Sequence, residues 1–416
     1  MSLITTPAAL KTAIRRACQD ATASDIHTHL FPPAHGKLLL WGVDELLTYH
    51  YLAAELFMAA PRELAPPDFY ALPKSAQADL VWEHLFVRRS PISEAARGVL
   101  RTLQILGLDT EARDLREARA WFAGQKIETY LPRIMKLAKL DYAVMTNDIF
   151  SQEESSYFRQ GLPVPEYFKT AMRIDPMINN FPAAAKQMAA QGYRTAGASV
   201  ARWGQARKFL ADWGARLQPL YMAASMADDF VYGAKDPRCD VLHKVVLPAA
   251  RELGLPLALM IGVRRQVNPA LGLAGDAGGV ADVQSAARLA AANPDVKFLF
   301  TFISRVNQHD LCILARKFGN VHIFGCWWFC NQTSIIQEIT RMRLEMLGTA
   351  FTAQHSDSRV LDQLLYKWSE ARRILADVLT EKYAELFDTG WRPSEDEIRR
   401  DVRRLLGGAF EEFLAK

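Results

Sequence analysis

The sequence predicts an α/β chain folded as a (β/α)₈ TIM-like barrel, with a large helical insertion after the first strand. Three observations carry this. Eight short apolar, β-branched runs recur along the chain, helix-like stretches alternate with them, and no glycine-rich phosphate fingerprint follows the first run. The missing fingerprint weighs against an open doubly wound sheet.

The runs are SDIHTHL (24–30), DYAVMTN (141–147), FKTAMRI (168–174), GYRTAGASV (192–200), LPLALMIGV (255–263), VKFLFTFIS (296–304), VHIFGCW (321–327) and TAFTAQHSD (349–357). Between them, stretches such as PAAAKQMAAQ, HKVVLPAAREL, DVQSAARLAAA, HDLCILARKF and SIIQEITRMRLEML place apolar residues three and four apart, the helical period. Residues 38–138 are far too long for one crossover helix and read as several, with Ser93 capping the helix that opens at Glu94. The chain is therefore expected to divide into a barrel with C-terminal helices (1–37 and 139–416) and a helical insertion (38–138) roofing the barrel mouth.

At 416 residues, half of them hydrophobic and 23% charged, the composition is that of a globular protein. A net charge of +4 is too small, and the cluster from Arg399 to Arg404 too interrupted, to suggest nucleic acid as a partner. The five cysteines lack paired-motif spacing apart from Cys326 and Cys330, whose flanks are apolar; free thiols in a reducing compartment are expected. The N-terminal stretch has no continuous apolar core and no run approaches a membrane span, so the expected location is cytoplasmic, with no membrane partner. The insertion offers surface for subunit contacts, and a homo-oligomer is expected.

In parallel barrels the reactive side chains sit at strand C-termini. The first run ends in His27-Thr28-His29. Residues two apart share a strand face, so both imidazoles can reach one metal ion. The eighth run ends in His355-Ser356-Asp357-Ser358-Arg359, and in a closed barrel it neighbours the first. Asp357 can complete a two-histidine, one-carboxylate site, the alternative being that it caps the next helix. Such a set suits zinc first, and manganese, iron or cobalt as well. Trp327 and Trp328 end the seventh run. Alternation would turn one toward the site as an aromatic wall and the other toward the helices, and core packing is an open alternative for each. His35 is placed to reach the mouth or to lie on a loop surface, and Asp148 to position a hydroxyl or cap a turn. His84, His243, His309 and His322 fall away from the mouth.

His27-Thr28-His29-Leu30, TNDIF (146–150), YFKTAMRID (167–175), MIGVRR (260–265), GCWWFCN (325–331), the DSR at 357–359 and ARRIL (371–375) occur in this order, with RSPISEA (89–95) inside the insertion. Together they resemble the uronate isomerase family of the amidohydrolase superfamily, over nearly the whole chain. The resemblance implies a metal-dependent-hydrolase type of barrel, aldose–ketose isomerisation of a hexuronate such as glucuronate or galacturonate, and a small sugar acid as partner. It implies His27, His29 and Asp357 as metal ligands, His50 and Tyr51 facing substrate, and Arg173 and Arg359 in the site. Tyr51, His50 and Asp357 are each able to relay a proton between adjacent carbons. Guanidinium groups match the fork of a uronate carboxylate, the alternative for either arginine being an internal salt bridge.

The chain departs from the family pattern in the middle strands. Met260 stands where a strand-five histidine is usual, Ala198-Ser199-Val200 where a serine-aspartate-histidine run is usual, Trp368 near a usual histidine, and Gly407-Gly408 where asparagines are usual. These changes open a second reading, a hydrolase or decarboxylase acting on another sugar acid or lactone. A third is a sugar-acid binding protein without catalysis.

Overall fold

The computed structural model describes residues 3–60, 64–195, 199–233 and 235–416. Strands β1 (Ala23–Thr28), β2 (Leu140–Asp148), β3 (Phe168–Arg173), β4 (Met222–Ala227), β5 (Leu257–Arg264), β7 (Phe298–Phe302) and β8 (Val321–Ile323) pair in parallel in chain order. The two-residue β6 (Ala277–Gly278) lies antiparallel on the end of β5. Strands buried on both faces need not alternate polar and apolar residues, and β7, Phe-Leu-Phe-Thr-Phe, is buried throughout.

Closure of the barrel falls to the segment 351–358. Thr352 bridges Phe324 just beyond β8, while at the other end Asp357 donates its N–H to His27 O (3.1 Å) and His29 donates to Ser358 O (2.8 Å). The eighth run is thus not a regular strand. Ala353 turns its N–H to Leu405 O in the C-terminal segment, and Asp357 has φ +52°, a left-handed conformation that no strand can continue. The seventh run also ends early, at Ile323, because Gly325 at φ +66° breaks it.

The run 192–200 is a second correction. Its centre, 196–198, lies outside the described residues; Gly192 to Thr195 form turn and loop, and a helix begins at Ser199 and runs to Leu217. Tyr193 serves that helix, its ring edge-on to Phe209 and its hydroxyl on Asp212. The fourth strand is instead β4, Met-Ala-Ala-Ser-Met-Ala, whose small residues carry little β propensity but pair with β5 along its whole length.

Between β1 and β2 the chain forms helices Val43–Leu47, His50–Ala59, Pro66–Ala71, Lys74–Trp82, Glu94–Leu106, Arg116–Ala123 and Ile127–Ala138. Ser93 caps Glu94–Leu106 by accepting from Ala96 N, and Gly107 closes it in the left-handed region. The 26-residue helix Gln363–Asp388 packs against the first helix, Pro7–Asp20, against two of the insertion helices and against Thr333–Leu347. From Pro393 the chain closes with helices Glu395–Arg403 and Ala409–Ala415, the first held by a Ser394–Glu397 capping box. Among the described residues no helix is long and apolar enough to cross a membrane.

Two measurements check this packing. At Gly325 an added Cβ would overlap the buried His355 ring, at a φ that side chains rarely adopt. We expect Gly325→Ala to lower the unfolding free energy by about 3 kcal/mol, read from urea midpoints. His322 is buried, bonded to Thr352 Oγ1 (2.9 Å), and burial lowers its pKa from 6.5 to about 3. The unfolded chain therefore takes up this proton at higher pH than the folded one, so stability rises with pH across that window and is lost on acidification. His322→Gln should reduce the slope of unfolding free energy by about 1.4 kcal/mol per pH unit between roughly pH 4 and 6. An unchanged slope would refute the assignment.

Candidate metal centre and adjoining chamber

β1 carries His27, and His29 follows directly after its end, so both imidazoles emerge at the same rim with ring centroids 5.3 Å apart. The terminal segment brings Asp357 opposite them. Its Oδ1 lies 3.5 Å from His27 Nε2 and 3.3 Å from His29 Nε2. One ligand atom from each of the three lies within 4.8 Å of the others.

The local hydrogen bonds say how His29 is set. The Thr146 hydroxyl donates to Thr28 O (2.8 Å), so toward His29 Nδ1 (3.0 Å) it accepts, which puts the proton on Nδ1 and the lone pair on Nε2. Burial first, and the Arg359 charge second, lower the His29 pKa to about 3, so the ring is neutral at neutral pH. Burial works against the charge on Asp357, but the His27 and His29 rings outweigh it and hold the carboxyl well below its ordinary value. Both His27 ring nitrogens and Asp357 Oδ1 are buried with no hydrogen-bond partner among the described residues. Buried polar atoms are rarely left unpaired. Two imidazoles and a carboxylate turned on one point fit a divalent cation.

A narrow cavity opens over these three residues. Its wall includes His50, Arg173, Arg359, Trp327 and Trp328 from the sequence analysis, so the structure gathers eight of the ten expected site residues around one space. Both tryptophans line it, against the expectation that alternation would part them. The chain has left β8 four residues earlier, and strand alternation does not apply there. Arg173 combines the two roles set out for it, because it lines the cavity while its Nε holds Asp175 Oδ2 at 2.9 Å. That pairing raises the Arg173 pKa, and Arg173 lowers that of Asp175 despite burial. The Arg359 guanidinium makes no hydrogen bond among the described residues. Burial lowers the His50 pKa to about 3 and raises that of the Tyr51 phenol well above its ordinary value, leaving a neutral imidazole and a protonated hydroxyl.

Two expected residues lie elsewhere. Tyr51 faces a second, outer chamber of about 660 Å³, which shares His50 and Trp328 with the inner cavity. His35 neither reaches the mouth nor lies on a surface. It is buried, stacked on Tyr157 (4.9 Å between centroids) and edge-on to Phe158, because the short helix Pro33–Leu38 turns it toward the helix after β2. Asp148 caps the turn that follows it, accepting from Phe150 and Ser151 N–H. Sequence reasoning missed Thr146, Arg265 and His355. The first two lie inside the motifs TNDIF and MIGVRR and line the inner cavity. His355, wholly buried with its ring 5.0 Å from that of His27, stands two residues before Asp357.

No family model matches the chain, and none of the curated proteins does. Solved structures do. A uronate isomerase from Bacillus halodurans C-125 is 42% identical, covers 99% of this chain and 98% of its own, and superposes with a TM-score of 0.97. A uronate isomerase from Thermotoga maritima and a glucuronate isomerase from Caulobacter crescentus each share 14% identity over 99% of this chain, and 98% and 95% of their own, at a TM-score of 0.79. The last two show the same barrel fold. At the identity and coverage of the first, the chain belongs to the uronate isomerase family.

Proposed function

We propose that the protein is an aldose–ketose isomerase converting a hexuronate, D-glucuronate or D-galacturonate, to its keto acid. The observation that carries this is one cavity in which a two-histidine, one-carboxylate set faces an uncommitted guanidinium, in a chain 42% identical to a uronate isomerase. In this reading His27, His29 and Asp357 hold the ion, and zinc is the ion we propose. When bound, it supplies Lewis acidity toward a substrate oxygen.

The remaining work falls to side chains. Arg359 receives the uronate carboxylate in a two-pronged hydrogen bond, and Arg173, already committed to Asp175, supports it electrostatically. Isomerisation moves a proton from C2 to C1 through an enediol, so a base must take the first and an acid deliver the second. Asp357, held as a carboxylate, is the group we assign as base at C2. His50, neutral and at the cavity wall, receives and returns the hydroxyl proton, with Tyr51 behind it at 4.6 Å between ring centroids. Trp327 and Trp328 flank the sugar and keep water from the enediol. The insertion 38–138 acts as the roof, and the protein works as a homo-oligomer.

The test is direct. Metal-loaded protein incubated with glucuronate and galacturonate should form ketouronate and exchange solvent hydrogen at C2, both followed by NMR. Asp357→Asn should lower turnover about 10³-fold and reduce bound metal, measured by elemental analysis. Cleavage of a lactone or ester panel without C2 exchange would establish the hydrolase instead.

A further inference from the structure

The opposite end of the barrel carries a pocket with a chemistry of its own. A cavity of about 390 Å³ opens where the chain enters β8 and the segment 351–358, lined by Val321 at the start of that strand and by Ala350. These are the N-terminal ends of the strands, away from the rim that holds His27, His29 and Asp357. The cavity shares no residue with the inner cavity or the outer chamber. The isomerisation proposed above makes no use of it, and the pocket stands whether or not that reading holds. Its size is in the range of small-ligand pockets.

Two features narrow the occupant. The first is charge. The wall carries Arg316, Lys317, Arg404 and Lys416 against one acidic side chain, Glu412. Glu412 is committed to Arg404 (2.9 Å), while Arg316, Lys317 and Lys416 form no ion pair among the described residues. A solvated cation needs no partner, but several around one concavity focus a positive potential into it. The second feature is His322, which is only 3% exposed and stacks on Phe413 (5.2 Å between centroids, 27°). Its Nε2 meets the Thr352 hydroxyl at 2.9 Å. Its Nδ1 makes no hydrogen bond among the described residues, yet it is not sealed off as both ring nitrogens of His27 and His355 are. In a ring that lines the pocket, this leaves a free polar edge facing it. With the Thr352 hydroxyl donating to Nε2, the proton sits on Nδ1, a donor for an anion. The charges that act on the ring, Arg343 and Lys416, are both cations.

A single carboxylate would leave most of this charge unmatched. A phosphomonoester brings up to about two negative charges and several strong acceptor oxygens. Phe318, Met346 and Phe413 add an apolar floor beside the cations, which suits an organic group on the phosphate. We propose that the pocket at the N-terminal end of the barrel binds a small organic phosphate, held by Arg316, Lys317 and Lys416 with His322 Nδ1 donating from the wall.

Saturation-transfer NMR with phenyl phosphate on the metal-loaded protein tests this. The phenyl protons should report binding, inorganic phosphate should displace the probe, and phenol should give no transfer. Lys317→Glu, at an exposed position, should weaken the affinity about tenfold. Arg316→Glu, equally exposed, repeats the charge test, and Ala350→Trp, filling the cavity from its exposed edge, should cut the transfer. Circular dichroism matching the parent shows that each variant is folded. Arg359→Met separates this pocket from the inner cavity, whose guanidinium also attracts phosphate, and transfer should persist in it. No transfer, equal transfer with phenol, transfer undiminished by the pocket variants, or transfer lost in Arg359→Met overturns the site.

Discussion

The buried carboxylate of Asp25 ties the start of the chain to its end. It is wholly enclosed, accepts the Ser356 N–H on Oδ1 (3.0 Å) and the Trp368 indole N–H on Oδ2 (2.8 Å), and burial raises its pKa to about 6. A carboxylate in such a place is tolerated because both oxygens are satisfied. It sits two residues before His27, and Ser356 directly precedes Asp357. These bonds, with Asp357 N–H on His27 O, fix the spacing between imidazoles and acid. The left-handed φ of Asp357 costs energy that its neighbours must offset, and Asp25 grips the backbone immediately beside it.

The helix that bears Trp368 extends the same control to the insertion. Lys367 reaches Glu94 at the head of helix Glu94–Leu106, and Asp362, just before Gln363, accepts from Gly42 N–H (2.7 Å) and the Tyr130 hydroxyl. One turn after Trp368, the Arg372 guanidinium donates to the carbonyls of Ala21, Ala138 and Lys139, which lead into β1 and β2. A single long helix thus references the first strands, the insertion and the metal-binding residues to one another. That is why His50, which belongs to the insertion, can stand in a cavity whose floor is barrel.

This organisation also explains what was legible in the sequence. His27, His29 and Asp357 could be placed together because strand alternation and barrel closure are simple geometry, and both ends of the chain obey them. β4 went unseen because Met-Ala-Ala-Ser-Met-Ala has the composition of a helix, and only tertiary pairing makes it a strand. Gly192 and Tyr193 imitated the start of a strand while serving a turn and a helix surface. The two tryptophans were assigned opposite faces from a periodicity that ends at Ile323, and His35 was read from loop position, which carries no information about the Tyr157 ring that covers it. Asp25 was visible as a letter but not as a clamp, because its partners lie more than 300 residues away.

The departures from the family pattern then take a physical meaning. Of the positions that depart from it, Met260 in β5 lines the inner cavity beside Ala223 and Ala224 of β4, while Thr146, Arg173, Asp175, Ser225 and Arg265 supply the polar part of that wall. The metal-site acid and imidazoles, and the Arg359 guanidinium, come from the beginning and end of the chain. Buried charges interact more strongly than charges in water, because less solvent screens them. Arg359 therefore acts on His29 and His50 across the cavity, lowering the pKa of both, with no hydrogen bond to either. Burial and the Arg359 charge together hold the His29 and His50 imidazoles neutral, and the imidazoles facing Asp357 hold its carboxyl ionised, the state that both metal binding and proton transfer require.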